Sequence, residues 1–327
     1  MISLLTTRPP ELPPDAVEAE LWARYGLRGA LTPLPGERDQ NFRLRTEHAT
    51  YVLKFHNAEE DRAVADAQDA ALRWIAQRDP TLDVPRVVTP QAVPNGRIVR
   101  LLTWVDGDPL VTRMPIDVPM LTCLGRTLGR LNAALAGFEH PGGEQPLLWD
   151  TQRVLELTPM LSAIPDAPLV QLGREVLERM ATTTLPAMPP LPWQVIHNDA
   201  NPHNVLVGDG GVCGVLDFGD MVTAPRIQEL AVAAAYHCGS RPLEAMSALV
   251  RAYHAVHGLR PDEVAQLPAL VAARCVATLA IGSWRTQQLR TDPRYVLKNY
   301  ATTAATLTQL WPQVDRIAEA LCATLET

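Results

Sequence analysis

The sequence predicts an α+β fold in two lobes: a small antiparallel-sheet lobe with one long helix over residues 1–104, and a mainly helical lobe over residues 105–327. Three observations carry this expectation. Between Leu31 and Phe55, short alternating or β-branched runs are separated by turn-forming residues, the pattern of half-buried strands. After the stretch VDGDPL, apolar residues recur at three- and four-residue spacing, as they do along one face of a helix. That helical run is interrupted once, by VLV and VCGVL around a GDGG turn, which reads as an embedded hairpin.

In chain order, PPDAVEAELWARYGL opens with Asp15 as an N-cap, puts Val17, Leu21 and Trp22 on one face, and stops at Gly26. LTPL, NFRLRT and YVLKF follow as three strands, joined by PGERDQ and HAT. Glu59 to Gln77 carries Val64, Ala67, Ala71, Trp74 and Ile75 at helical spacing. Two more strands, around Pro85 to Val88 and Arg97 to Trp104, complete the sheet, and VDGDPL serves as the linker, broken by Gly107 and Pro109. Beyond it, Val118 to Phe138 and Val170 to Thr182 are helices, and helices resume at Pro225 after the hairpin. LPALVAARCVATLAIGSW is the most apolar window, but Arg274 in its middle and its small residues mark a buried core helix instead of a membrane span.

Bulk properties narrow the function. With 327 residues, 47% of them hydrophobic, and a mean hydropathy of -0.03, the chain can bury a large core. A formal charge of -7 argues against a nucleic-acid partner, which would need a basic face, and it suits an amine-bearing substrate. Cys123, Cys213, Cys238, Cys275 and Cys322 form no CxxC pair, so neither a zinc site nor a disulfide framework is expected, and the N-terminus lacks the shape of a signal peptide. A cytoplasmic, reducing compartment follows. The 29 prolines cluster in connections such as LPAMPPLP, where they punctuate helices.

The chemistry concentrates in HNDANPHNVLV, His197 to Val207, and in VLDFGD after it. Folding the hairpin brings Asp199, Asn204 and Asp217 to one end. An amide oxygen and a carboxylate suit Mg²⁺, which retains waters and bridges phosphates, while Asp199, left off the metal, can accept a proton from a hydroxyl. Phosphoryl transfer to an alcohol needs that division of labour. His197, Asp199 and Asn204 match the H-x-D-x-x-x-x-N pattern, and Asp217-Phe218-Gly219 the D-F-G pattern, of protein-kinase-like enzymes. Lys54, in YVLKF, matches the lysine that pairs with the α- and β-phosphates. Two departures accompany the match. The helix after YVLKF offers Asp66, Gln68 and Asp69 but no glutamate for Lys54, and Gln68 is the expected partner. No GxGxxG loop is present, so backbone N–H groups with Asp39, Gln40 or Asn41 must cover the phosphates.

Across nearly its whole length the chain resembles the aminoglycoside phosphotransferase and choline-kinase-like superfamily, and within it the hydroxylysine kinases. GERDQNF, YVLKF, RLLTWVDGDPL, HNDANPHNVLV and GVLDFGDMV carry the resemblance, with LGRTLGRLNAAL, FEHP, LLWD and TDPRYVL as weaker support. The family has glycine where this chain has Asn198. The resemblance implies a protein-kinase-like two-lobed fold with ATP or GTP between the lobes and its base near the linker segment from Leu102 through Trp104 to Val105. It implies Asp199 as catalytic base and Asn204 and Asp217 as Mg²⁺ ligands, and it places Glu229 where relatives carry an acid bracing the catalytic loop.

The reading that follows is a small-molecule kinase acting on a hydroxyl of an amino alcohol or hydroxy amino acid, with hydroxylysine foremost. Homoserine and aminoglycosides are alternative acceptors. Substrate contacts are expected from the helical lobe: Asp220, Asp150 or Glu229 for an amine, Arg274 or Arg285 for a carboxylate. Two other classes stand beside it, a nucleotide-binding scaffold without transfer activity and a metal-dependent hydrolase built on His197, Asp199 and His203.

Overall fold

Alternation in the N-terminal strands is resolved by their pairing. A computed structural model of the chain describes residues 9–36, 38–92, 96–288 and 293–325. Strands β1 (Ala30–Leu34), β2 (Gln40–Arg45), β3 (Thr50–Phe55) and β4 (Val99–Thr103) form an antiparallel sheet in that order. Because side chains alternate between faces, Phe42, Leu44, Leu53, Phe55, Val99 and Leu101 gather on one side and pack against Val17, Leu21 and Tyr25 of helix α1 (Pro14–Tyr25). The register Asn41↔Lys54↔Arg100 puts a polar row on the other side, toward helix α2 (Arg62–Arg78), from which Gln68 and Asp69 both accept from Arg100.

Several boundaries differ from expectation. Helix α1 begins at Pro14, with Asp15 in its first turn and not at the N-cap, and Gly26 closes it in the left-handed conformation at φ 64°. Its buried face is Val17, Leu21, Arg24 and Tyr25, so Trp22 turns outward, 53% exposed, with the Arg28 guanidinium over its ring. Residues 85–88 make only an isolated bridge, Val87 to Leu102, since Pro85 and Pro90 have no N–H to extend a ladder. Glu37 of GERDQNF, the N-terminal MISLLTTR and part of the TDPR break lie outside the described residues.

By contacts the chain divides into two units, Met1–Asp106 with His140–Gly142, and Gly107–Glu139 with Gly143–Thr327. In the second, the linker stretch contributes strand β5 (Asp108–Pro109), paired to β7 (Val205–Gly208), which pairs in turn with β8 (Gly211–Val215). Helix α3 (Val118–Leu135) starts on the Asp117 side chain and stops before Gly137. A long 3₁₀ stretch, Thr151–Ala163, and the pair β6 (Trp193–Ile196) with β9 (Val222–Pro225) were not expected from sequence. Thus DFGD leads into a strand before the chain turns helical. Helix α4 (Ala167–Arg179), capped by Asp166, runs on through a π turn at Met180–Thr184 to the short α5 (Leu185–Ala187).

The remaining helices are α6 (Ile227–His237), α7 (Pro242–His254), α8 (Pro261–Gln288), α9 (Pro293–Val296), α10 (Tyr300–Leu310) and α11 (Val314–Ala323). Helix α8 is long and apolar enough to cross a membrane, yet 89% of its most apolar window is buried inside the protein, as expected of a core helix. Its Arg274 is among the largest fully buried side chains. All five cysteines are free.

Candidate active site

The segment from His197 to Asn204 is held from three directions. Its backbone turns through Asn201 N to Asp199 O at 2.8 Å and Asn204 N to Asn201 O at 3.0 Å, and Leu216 N then donates to Asn204 O at 2.7 Å, closing the hairpin end. His197 N donates to Glu229 Oε2 at 2.7 Å. The imidazole accepts from Asp199 N through Nδ1 at 3.2 Å and meets Leu216 O through Nε2 at 2.9 Å, the pattern of a neutral Nε2–H ring. Phe218 of DFG stands edge-on to that ring at 4.8 Å. Both ring nitrogens are therefore engaged and His197 is fully buried, which removes it as a metal ligand. His203, whose pKa is lowered by burial and by Lys298, contributes its backbone N–H to Asn201 Oδ1 at 2.8 Å.

Asn198 takes the left-handed conformation at φ 63°, which Asn tolerates better than other non-glycine residues. Both ends of its buried amide are engaged: Nδ2 donates to Asp220 O at 3.1 Å and Oδ1 accepts from Gln228 Nε2 at 3.0 Å. Gln228 also donates to Asp150 Oδ1 at 3.0 Å and accepts from Thr151 Oγ1 at 2.6 Å. The side chain standing in for glycine thus links the loop to DFGD and to helix α6.

Asp199 is 19% exposed at the side chain, and both carboxylate oxygens have partners. Oδ1 accepts from Asn201 Nδ2 at 3.0 Å and Arg274 Nη2 at 3.3 Å, and Oδ2 accepts from Asn204 Nδ2 at 2.6 Å. Burial, followed by the negative charge of Asp220, raises its pKa, with Arg274 acting in the opposite direction. Asn204 Nδ2 also reaches Asp199 O at 3.1 Å, so its amide points nitrogen at Asp199 and keeps its carbonyl for another partner. Asp217 is exposed, has φ 59°, and accepts from Gly219 N at 3.3 Å. Register places it one residue past Leu216, at the same hairpin end as Asn204.

The substrate-contact expectations meet side chains with other tasks. Glu229 is fully buried beneath His197, with its pKa raised by that burial, and so does not face a substrate. Asp150 is the N-cap of the 3₁₀ stretch, bonded to Gln152 and Gln228, and burial raises its pKa. Arg274 donates to Trp149 O at 2.6 Å, to the Tyr236 hydroxyl at 3.2 Å and to Asp199, so its guanidinium is not waiting for a carboxylate. Arg285 is buried three turns along α8, about 16 Å from Arg274 at 1.5 Å per residue. Asp220 is buried and its backbone oxygen holds Asn198.

In the N-terminal unit, Lys54 Nζ lies 3.6 Å from Asp39 Oδ2, and Asp39 also faces His56 at 3.6 Å and accepts from Asn57 N at 3.1 Å. Asp39 is therefore the hub of this cluster. Gln40 uses both amide atoms on the Leu12 backbone, and Gln68 accepts from Arg100, so neither matches its expected role. Asp66 is exposed. Asn41 packs on Gly36, where a Cβ would fall 2.5 Å from its Nδ2. Leu102 is buried opposite Val52, and Trp104 is stacked by Arg43 at 4.4 Å. Sequence reasoning missed Asn201, Gln228, Tyr236 and Trp149; only Asn201, inside the motif, carried a local signal.

Comparison with known proteins identifies the family. Residues 30–267 match the family model described as APH, phosphotransferase enzyme family. A hydroxylysine kinase from Danio rerio is 25% identical over 313 residues, covering 88% of both chains. A homoserine kinase from Gluconobacter oxydans (strain 621H) is 25% identical over 250 residues, covering 72% of this chain and 75% of its own. Among solved structures, an amicoumacin kinase in complex with AMP-PNP and Ca²⁺ superposes with a TM-score of 0.68 at 14% identity, over 92% of this chain and 94% of that one. With the motifs intact and the family match spanning both units, the chain belongs to the APH phosphotransferase enzyme family and is itself a kinase.

Proposed function

We propose that this kinase transfers the γ-phosphoryl group of ATP or GTP to a hydroxyl of an amino alcohol or hydroxy amino acid, with hydroxylysine the foremost acceptor. The observation that carries the reading is the division of one loop between two tasks. Asn204 Nδ2 on Asp199 Oδ2 at 2.6 Å fixes the carboxylate and leaves the Asn204 carbonyl as an oxygen donor. That carbonyl and the exposed Asp217 carboxylate fit the hard-oxygen, two-side-chain donor set by which Mg²⁺ is held alongside phosphates. When bound, Mg²⁺ neutralises charge on the transferring phosphate.

The chain's own residues do the rest. Asp199 accepts the hydroxyl proton as the substrate oxygen bonds to the γ-phosphorus and the bond to the β-γ bridging oxygen breaks, giving a phosphoester and a nucleoside diphosphate. His197 and Glu229 hold the loop in shape, and Lys54 is assigned to the donor's phosphates. The similarity to hydroxylysine and homoserine kinases supports an amino-acid-like acceptor. A cytoplasmic location belongs to the same reading.

The test is a coupled diphosphate-release screen of hydroxylysine, homoserine, ethanolamine-like alcohols and aminoglycosides with both triphosphates. Hydroxylysine is expected to give the highest kcat/KM. Asp199→Asn is expected to lower turnover by about 10²- to 10⁴-fold with nucleotide affinity unchanged. Near-normal turnover in that variant removes Asp199 as the base, and no turnover with any acceptor sinks the reading.

A further inference from the structure

Arg274 is a buried guanidinium, 1% exposed, in the middle of the apolar stretch of α8 from Leu267 to Ile281. A charge so placed needs partners for its donors, and it has three of different kinds. Nη1 donates to Trp149 O at 2.6 Å, Nε to the Tyr236 hydroxyl at 3.2 Å, and Nη2 to Asp199 Oδ1 at 3.3 Å. The rings of Trp149 and Tyr236 lie 5.2 Å and 5.8 Å from its central carbon, within cation–π range. Tyr236 is itself fixed by Thr278 at 3.2 Å, and Thr278 Oγ1 donates back to Arg274 O at 3.1 Å. The planar fork is thus oriented by α6, α8 and the Trp149 backbone before it reaches Asp199.

We infer that Arg274 is a positioning residue that sets the rotation of the Asp199 carboxylate for the transfer step, an inference that rests on the reading of Asp199 as the base. A carboxylate on a two-carbon side chain turns readily about its last torsion. Here donors occupy both ends: Arg274 and Asn201 take Oδ1, and Asn204 takes Oδ2. Oδ1 is saturated by two donors, which leaves the remaining lone pair of Oδ2 as the acceptor for a hydroxyl proton. Asn201 and Asn204 belong to the same loop as Asp199, so among the described residues it is Arg274 that ties the carboxylate to the rigid helical core. A lysine cannot replace it, because a point charge lacks the fixed fork that places three separate nitrogens on three acceptors.

The alternative role for Arg274, gripping an acceptor carboxylate, predicts a different kinetic pattern. The experiment compares wild type, Arg274→Gln and Tyr236→Phe on hydroxylysine and on the matching amino alcohol without the carboxylate. For a positioning residue, kcat in Arg274→Gln falls by about 10²-fold with both acceptors while both KM values and nucleotide affinity hold. Tyr236→Phe, which removes one hydroxyl, gives a smaller fall of the same kind. Arg274→Ala recovers part of kcat on addition of guanidinium ion, and methylammonium does not restore it.

A rise in KM confined to the carboxylate-bearing acceptor overturns the proposal in favour of substrate binding. Unchanged kcat in Tyr236→Phe together with no guanidinium rescue overturns it as well, and covers the case in which Arg274→Gln does not fold. Asp199→Asn, measured in parallel, separates the two readings: if it keeps wild-type turnover the base assignment fails, whereas a wild-type-like Arg274→Gln beside an inactive Asp199→Asn removes only the inference about Arg274.

Discussion

At the scale of single residues, the site turns on side chains whose polar atoms are nearly all accounted for. Asn198 occupies a left-handed position that glycine would hold without strain, yet its amide bonds to Asp220 O and Gln228 compensate. Replacing it separates the two effects. Asn198→Gly loses the hydrogen bonds and relieves the backbone, whereas Asn198→Ala loses them and carries roughly 1–2 kcal/mol of left-handed strain. Denaturant unfolding should rank the two variants in that order, and equal midpoints would show that backbone strain at 198 is negligible. For Asp217, whose carboxylate is exposed at the hairpin end, Asp217→Ala should weaken nucleotide binding in the presence of Mg²⁺ and leave metal-free binding unaltered, as read by calorimetry. Equal losses in both conditions would remove it from the metal site. Residue types and spacing made Asp199, Asn204 and Asp217 legible in the sequence. Trp149, Tyr236 and Gln228 were not legible, because their relation to Asp199 is through space and leaves no periodic trace.

At the scale of elements, close packing of α3 on α7 depends on a residue that looks unfavourable locally. A Cβ on Gly125 would lie 2.6 Å from Leu249 O, a backbone atom that cannot swing aside. On an exposed helix face, glycine to alanine gains up to about 1 kcal/mol. Gly125→Ala should reverse that sign and destabilise by about 1–3 kcal/mol, the usual range for overpacking, and a stabilised variant would mean the two helices separate easily. The strands and main helices were readable because periodicity reports which face is buried. β6 and β9, at four residues each, are too short to show a period, and the 3₁₀ stretch Thr151–Ala163 keeps a helix-like pattern with different hydrogen bonding.

At the scale of the whole molecule, buried ionisable groups give stability a pH dependence with opposing parts. His237, at the end of α6, is 5% exposed, and burial pushes its pKa down from 6.5 to about 4. Its folded-state pKa lies below the unfolded value, so the unfolded chain takes up the proton first as pH falls. Its contribution is present above pH 6.5 and is lost between 6.5 and about 4, amounting to about 3 kcal/mol at 1.36 kcal/mol per unit. Asp150 and Glu229, with raised pKa values, act in the opposite direction as pH falls. The difference between wild type and His237→Gln isolates the histidine: the variant's unfolding midpoint should fall less steeply across that window, and parallel curves would mean that the imidazole is not held neutral. The sequence by itself determined the α+β class, the N-terminal strands and main helices, and the acid, amide and second acid of the kinase-like motifs, because each leaves a local pattern in the chain. Only the tertiary structure decided that Gln68 serves Arg100, that Glu229 lies beneath the loop, and that Arg274, 75 residues from Asp199, meets its carboxylate. Those pairings depend on which buried polar groups find one another once the helices pack, and that competition among partners is settled in three dimensions.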